Sequence, residues 1–182
     1  MFSVSFSGRA RVVLVAALAL IAAGCTTKAQ EARNAASCPK AYIVGDASQL
    51  TRFKAGPGRD PTDVLFRADV MRAENKCDFG RSGVTIETKV TLGVQEGPAA
   101  AAQNRQASFS YFVALIGPNS QILAREEFVA DYRFEGNRTR LAGVEELVQR
   151  ANFDAATAGA YQIAVGIALS VEEVNYNRRL QR

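Results

Sequence analysis

Residues 84–95 largely alternate between apolar and polar side chains, and no other feature of the sequence limits the fold as much. The apolar residues occupy even-numbered positions and are Val84, Ile86, Val90, Leu92 and Val94. The polar residues at the odd-numbered positions are Thr85, Glu87, Lys89, Thr91 and Gln95. Successive side chains of a strand point to opposite faces, whereas a helix would scatter these residues around its axis. The segment is therefore predicted to be a strand with one face in the core and one in water, as in antiparallel sheets.

Four other segments have strand patterns, namely 64–77, 107–116, 121–134 and 160–169. Segment 107–116 is apolar on both faces, which predicts a central strand. Gly117-Pro118-Asn119-Ser120 is a strong turn signal, so we expect a hairpin between this strand and the next. Residues 41–44 suggest a short edge strand.

The remaining segments of the domain carry weaker signals. Residues 48–53 suggest a turn or a single helical turn, and 54–63, rich in Gly and Pro, a loop. Segment 136–153 fits either a helix or an irregular strand. Ser170 and Glu173 form a capping-box pattern, which predicts a short C-terminal helix to about Leu180.

These elements amount to about six strands in antiparallel meander or Greek-key order. A two-sheet β-sandwich followed by a short C-terminal helix is the expected fold. The small residues before Tyr161, followed by alternating apolar residues, loosely resemble the penultimate strand of immunoglobulin-like or fibronectin-like domains.

The chain contains no histidine, which excludes Ser-His and Cys-His nucleophiles and imidazole metal ligands. The acidic residues do not have the spacing of a calcium loop, so we expect no metal and no cofactor. Formal net charge is +4, and it falls to +2 if the segment carrying Arg9 and Arg11 is removed. That balance does not favour nucleic-acid binding.

The N-terminus has the order of a bacterial lipoprotein signal. Arg9 and Arg11 precede the apolar run 12–23, which is too short to span a bilayer and has the length of a signal-peptide core. The run ends in small residues before a cysteine, and Ile21 to Cys25 resembles the lipobox. The resemblance implies cleavage between Gly24 and Cys25. A buried helix with a core thiol, or an ordinary secretory signal cut elsewhere, is the alternative.

Further expectations follow from the lipoprotein resemblance. It implies that Cys25 carries acyl chains, palmitate among them, which would anchor the protein to the membrane. Thr26 stands where an Asp commonly marks inner-membrane retention, so the resemblance implies the inner leaflet of the outer membrane, facing the periplasm. We expect a signal peptide at 1–24, the lipidated Cys25 and a flexible tether at 25–37, and the β-sandwich domain at 38–182.

Cys38 and Cys77 remain as a pair once Cys25 is acylated. In an oxidising compartment the two remaining cysteines are expected to form one disulfide. It would connect the start of the domain to the end of its first long strand. A redox-active or metal-binding pair is the alternative, but the sequence has no CxxC.

Few residues are candidates for chemistry or binding. Glu126 and Glu127 lie within a predicted strand, where one could act as a general acid against apolar walls or both could pair with nearby arginines. Arg178, Arg179 and Arg182 either complement the helix dipole or touch anionic lipid.

The sequence favours a non-catalytic, lipid-anchored envelope protein, used for protein interaction or envelope assembly. The whole chain is similar in pattern to envelope lipoproteins of proteobacteria. A lipid-tethered small-ligand carrier or carboxylate-based hydrolase is the alternative, and it requires a cleft that encloses Glu126 or Glu127.

Overall fold

The structure of the protein is a computed structural model that describes residues 38–180. The predicted signal peptide at 1–24, Cys25 with its tether, and Arg182 lie outside the described residues.

Eight strands form two four-stranded sheets, and a single α-helix follows the last strand in the described part of the chain. The strands are β1 (Lys40–Ile43), β2 (Gln49–Phe53), β3 (Val64–Gly80), β4 (Gly83–Glu96), β5 (Gln106–Ile116), β6 (Ile122–Arg133), β7 (Arg140–Ala151) and β8 (Gln162–Ile167); the helix is α1 (Val171–Leu180). The first sheet has the order β1-β8-β5-β6, and the second has the order β2-β3-β4-β7.

The core lies between the two sheets, and the alternation of β4 decides what enters it. Val90 and Leu92 are fully buried, whereas Lys89 on the other face is exposed. From the opposite sheet, the inward side chains of β5 and β8 complete the core, with Val113 and Val165 fully buried. The predicted β-sandwich is confirmed, because apolar residues at period two meet across both sheets.

The central position of β5 and its hairpin with β6 are also confirmed. Strand β5 pairs with β8 on one side and with β6 on the other. Its inward residues join the core between the sheets, whereas Ala114 and Ile116 on its other face pack with Ala164 and Val44 in a second, smaller cluster, so both faces are apolar. The turn closes with a hydrogen bond of 2.9 Å from the Gly117 amide to the Gln121 carbonyl. In β6, Ala130 is buried and Phe128 packs against the core, whereas Ile122, the first residue of the strand, is 63% exposed.

Two details differ from the prediction, and one open alternative is decided. Gln49–Phe53 is a strand rather than a turn, because the long strand β3 supplies hydrogen-bonding partners that a local pattern does not show. Segment 136–153, for which a helix and an irregular strand were both open, contains the strand β7, because pairing with β4 overrides the helix-like spacing of its apolar residues. Strand β1 runs parallel to β8, because the chain crosses to the other sheet and returns between them. Residues 38–180 therefore contain eight strands instead of about six.

A disulfide joins Cys38 to Cys77, as the cysteine count predicted. It attaches the first described residue to the distal part of β3 and closes a loop of about 40 residues. A cross-link of that span is worth about 4 kcal/mol in the chain-entropy model. Cys77 is buried and belongs to the main core.

Helix α1 begins with the predicted capping box. The Ser170 amide donates to Glu173 Oε2 at 2.8 Å, and the Glu173 amide donates to Ser170 Oγ at 3.3 Å. The helix packs on β2, where Asn177 is buried and donates to the carbonyl oxygens of Asp46 and Gln49. Between residues 38 and 180, no helix is long and apolar enough to cross a bilayer.

Candidate binding groove

A groove of about 580 Å³ lies between α1 and the segment that runs from β2 into the following loop. Its lining combines aromatic, basic and acidic side chains from the two elements. We call it the α1–β2 groove, and its charged and aromatic members are Arg52, Phe53, Lys54, Arg59, Glu172, Glu173, Tyr176 and Arg179.

Two aromatic rings pack against each other in the groove. Phe53 ends β2, and Tyr176 lies on the turn of α1 that docks beside it. Their ring centroids are 5.3 Å apart at an interplanar angle of 80°, the edge-to-face geometry that aromatic pairs prefer. The docking of α1 by Asn177, next to Tyr176 in sequence, fixes this arrangement.

One guanidinium group lies over each of these rings. Arg59 lies 5.3 Å from the centroid of Phe53, and its Nη1 donates to the carbonyl oxygens of Gly56 and Gly58. Arg179 lies 5.9 Å from the centroid of Tyr176. Contact with a ring face holds a cation in place while leaving its other N–H groups free to bind an anion.

The other two cations of the groove already have carboxylate partners. Arg52 is 3.1 Å from Glu173, and Lys54 is 2.7 Å from Asp63. The hydrogen bond from Lys54 lowers the pKa of the Asp63 carboxyl below its ordinary value. Among residues 38–180, Arg59 and Arg179 have no carboxylate within 4.0 Å. These two groups are therefore the available anion-binding elements of the groove.

The loop of Gly56 to Asp60 does not form a phosphate cradle. Its carbonyl oxygens of Gly56 and Gly58 accept hydrogen bonds from Arg59 Nη1, so the loop presents carbonyl groups rather than amide groups at this point, and Nη2 and Nε are the donors of Arg59 that remain for an anion. Gly58 has a different role: a Cβ at this position would collide with the Asp63 carboxylate, so the glycine leaves room for that side chain. The loop is built around the Lys54–Asp63 ion pair.

The structure does not bring Glu126 and Glu127 into this groove. Glu127 is on the outer face of β6, where it pairs with Arg125. Glu126 lies opposite Val113 in the register with β5, but it is exposed, because that part of β6 lies outside the core. The cleft that the carboxylate alternative requires is therefore not formed by the described lining of the groove.

The C-terminal arginines have separate environments. Arg178 forms an ion pair with Asp46, in which Nη2 lies 2.6 Å and Nε lies 2.7 Å from Asp46 Oδ2. This pair attaches α1 to the segment before β2. Arg179 faces the groove, as described above. Arg182 lies outside the described residues.

The aromatic pair and the role of Arg59 are not apparent from the sequence. Phe53 falls in the segment predicted to be a turn or a single helical turn, and Tyr176 in the predicted C-terminal helix, and only the docking of α1 on β2 brings them together. One available signal was the aromatic residue at the end of Gln49–Phe53, directly before a loop with an arginine.

The core contains polar side chains that the alternation also concealed. Thr88 faces inward from β4 and is fully buried, and its Oγ1 has no hydrogen-bond partner within the described residues. Tyr111 is 1% exposed, and desolvation, with a smaller contribution from the Glu145 charge, raises its pKa to about 12. Burial also raises the pKa of Tyr132. A sequence pattern marks threonine and tyrosine as tolerated strand residues, so it does not show which of them are buried.

Comparison with protein-family models gives no match, and comparison with curated proteins gives none either. The functional assignment therefore rests on the sequence and on the geometry of the groove.

Proposed function

We propose that this chain is a lipid-anchored, non-catalytic protein of the bacterial cell envelope. In this proposal the acylated Cys25 holds it to the periplasmic face of the outer membrane, and the α1–β2 groove binds an acidic segment of a partner protein. The observation that carries the binding role is the pair of guanidinium groups, Arg59 and Arg179, each over an aromatic ring and neither paired with a carboxylate among the described residues.

An extended acidic peptide fits the chemistry of this groove. Two carboxylates along its chain would accept hydrogen bonds from the two guanidinium groups, which present planar pairs of donors. Apolar side chains between the carboxylates would contact Phe53 and Tyr176. The pairs Arg52–Glu173 and Lys54–Asp63 would stay intact and keep the walls of the groove rigid.

The position of the groove supports a protein partner over a lipid surface. Strand β2 pairs with β3 from Val64 to Asp69, whereas the disulfide that receives the tether is at Cys77. Asp69 and Cys77 are eight positions apart along β3, about 26 Å at 3.3 Å per residue. The groove therefore opens at the end of β3 away from Cys38, where the tether enters the domain.

Binding of a defined acidic peptide tests this role. We expect a fluorescein-labelled hexaglutamate peptide to bind the purified protein with an affinity that falls as salt rises. The double variant Arg59→Ala/Arg179→Ala should weaken binding at least tenfold. Arg67→Ala/Arg81→Ala removes the same charge from exposed positions on β3 and its turn, and it is the matched control.

The outcome is decided by the comparison of the two double variants. Equal weakening by both would mean that the peptide responds to net charge alone, and the groove assignment would then be wrong. Unchanged affinity in the groove variant would contradict it as well. Thermal unfolding of both variants checks that the fold is retained.

A further inference from the structure

Strand β7 is an edge strand of twelve residues whose outer side has no partner among the described residues. The Glu96 amide donates to the Thr139 carbonyl at 2.8 Å, and the β4–β7 register continues from there without a shift. In an antiparallel ladder the hydrogen-bonded pairs alternate. The odd-numbered residues of β7 therefore bond to β4, and the even-numbered ones, Arg140 to Arg150, direct their N–H and C=O groups to the open edge.

The same even-numbered residues form the outer face of β7. Val144 and Val148 are 59% and 67% exposed, and Glu146 lies between them with Arg150 beyond. Natural proteins protect edge strands with bulges, prolines, charged side chains or a covering element, because a free edge recruits another strand. This edge has no bulge in its pairing with β4 and carries two exposed valines.

We propose that β7 pairs in antiparallel orientation with β7 of a second copy of this chain, on a two-fold axis at Val148. In this register Val148 lies opposite Val148 of the second copy. Glu146 lies opposite Arg150 of the second copy, and the symmetry repeats this ion pair on the other side. The even-numbered residues supply the hydrogen bonds across the axis, and the second sheet of each copy becomes half of one eight-stranded sheet.

Other two-fold axes also place the outer faces of the two β7 strands on the same side of the joined sheet. The charges of β7 favour the axis at Val148 over these alternatives. An axis at Glu146 or Glu145 places two identical carboxylates opposite each other, which destabilises cross-strand pairing. An axis at Val144 or Leu147 brings no opposite charges together within β7. An axis at Gly143 pairs Glu146 with Arg140, but it puts a glycine at the centre and leaves Val148 uncovered.

The inner face accepts the same register. Leu147 would lie opposite Gln149 of the second copy, and Glu145 opposite Ala151, so no like charges meet. The proposal does not involve the α1–β2 groove, which is built on the opposite edge strand of this sheet. It therefore stands or fails independently of the proposed function.

Cysteine cross-linking in the full-length protein within the cell envelope tests the register. Under mild oxidation Val148→Cys should give a covalent dimer on a non-reducing gel, because the two thiols meet at the axis. Val144→Cys is the matched control of similar exposure. Its two copies would lie about 27 Å apart in this register, so it should give at least tenfold less dimer.

A charge exchange supplies the second readout. Arg150→Glu places carboxylates opposite each other and should lower the Val148→Cys dimer yield at least threefold. Adding Glu146→Arg together with Lys89→Glu restores opposite charges across the axis and keeps opposite charges between positions 89 and 146, which form an ion pair of 2.6 Å in the wild type, and it should recover the yield. Failure of Val148→Cys to cross-link, equal cross-linking at both cysteine positions, or stronger cross-linking at Val144→Cys would each overturn the proposal.

Discussion

The side-chain amide of Asn177 donates a hydrogen bond of 2.7 Å to the main-chain carbonyl of Gln49, and this contact fixes α1 on β2. The same amide donates to the Asp46 carbonyl at 3.0 Å, so one buried side chain satisfies two backbone acceptors. Because Tyr176 is its neighbour, the position of Asn177 determines the aromatic pair with Phe53 and hence the shape of the groove.

Asn177→Asp is therefore expected to release α1. The carboxylate would face two carbonyl oxygens without a donor, a loss of about 2–4 kcal/mol in the free energy of unfolding. Denaturant unfolding measures this loss. Asn175→Asp, two residues earlier on the same helix, is the control and should change stability by less than about 1 kcal/mol. Similar losses at both positions would contradict the anchoring role of Asn177.

Val90 and Thr91 test the division between core and solvent in β4. Val90 is fully buried, whereas Thr91 belongs to the outer face. Val90→Asp puts an unpaired charge between the sheets and should destabilise the protein by about 3–5 kcal/mol, whereas Thr91→Asp should have a small effect. Urea unfolding of both variants provides the comparison. Equal effects would show that alternation does not separate the two faces.

Because Tyr111 is buried, we expect the protein to lose stability at alkaline pH. Tyr111 has a pKa raised to about 12 in the fold, against an ordinary value of 10.0, because burial disfavours the phenolate. The folded state thus favours the neutral phenol. The contribution of the buried Tyr111 to the free energy of unfolding is complete below pH 10. It falls as pH rises from 10 towards 12, because in this range the phenol of the unfolded chain has lost its proton and that of the folded chain has not.

The variant Tyr111→Phe isolates this effect. It cannot ionise, so the variant should lose less stability than the wild type between pH 9 and pH 11 in denaturant unfolding. Tyr42→Phe, at a position that is 41% exposed, should follow the wild type. A Tyr111→Phe profile identical to that of the wild type would contradict the assigned shift.

Much of the fold could be predicted because its strands carry their own pattern. The alternation that places Val90 inside and Lys89 outside is a local signal, and so is the turn at Gly117 to Ser120. The structure confirms both. The strand Gln49–Phe53 could not be predicted, since it depends on pairing with residues of β3 that are distant in sequence. Segment 136–153 was ambiguous for the same reason.

The binding groove was less predictable than the fold. It depends on Phe53 and Tyr176, which are more than 120 residues apart, and on a helix docked through Asn177. Residue types and spacing do not encode that contact. The sequence did identify Arg179 as an interaction candidate. It also predicted the Cys38–Cys77 disulfide, because counting the thiols of a chain that is expected to be exported needs no tertiary structure.

The intact mass of the protein, purified from the membrane fraction of a Gram-negative host, tests the central claim most directly. The account predicts a chain that begins at Cys25 and carries the added mass of a diacylglyceryl group, with or without a third acyl chain. It also predicts that Cys25→Ser gives an unprocessed or soluble periplasmic form. An unmodified N-terminus, cleavage at another residue, or the same mass and membrane association in Cys25→Ser would contradict lipid anchoring.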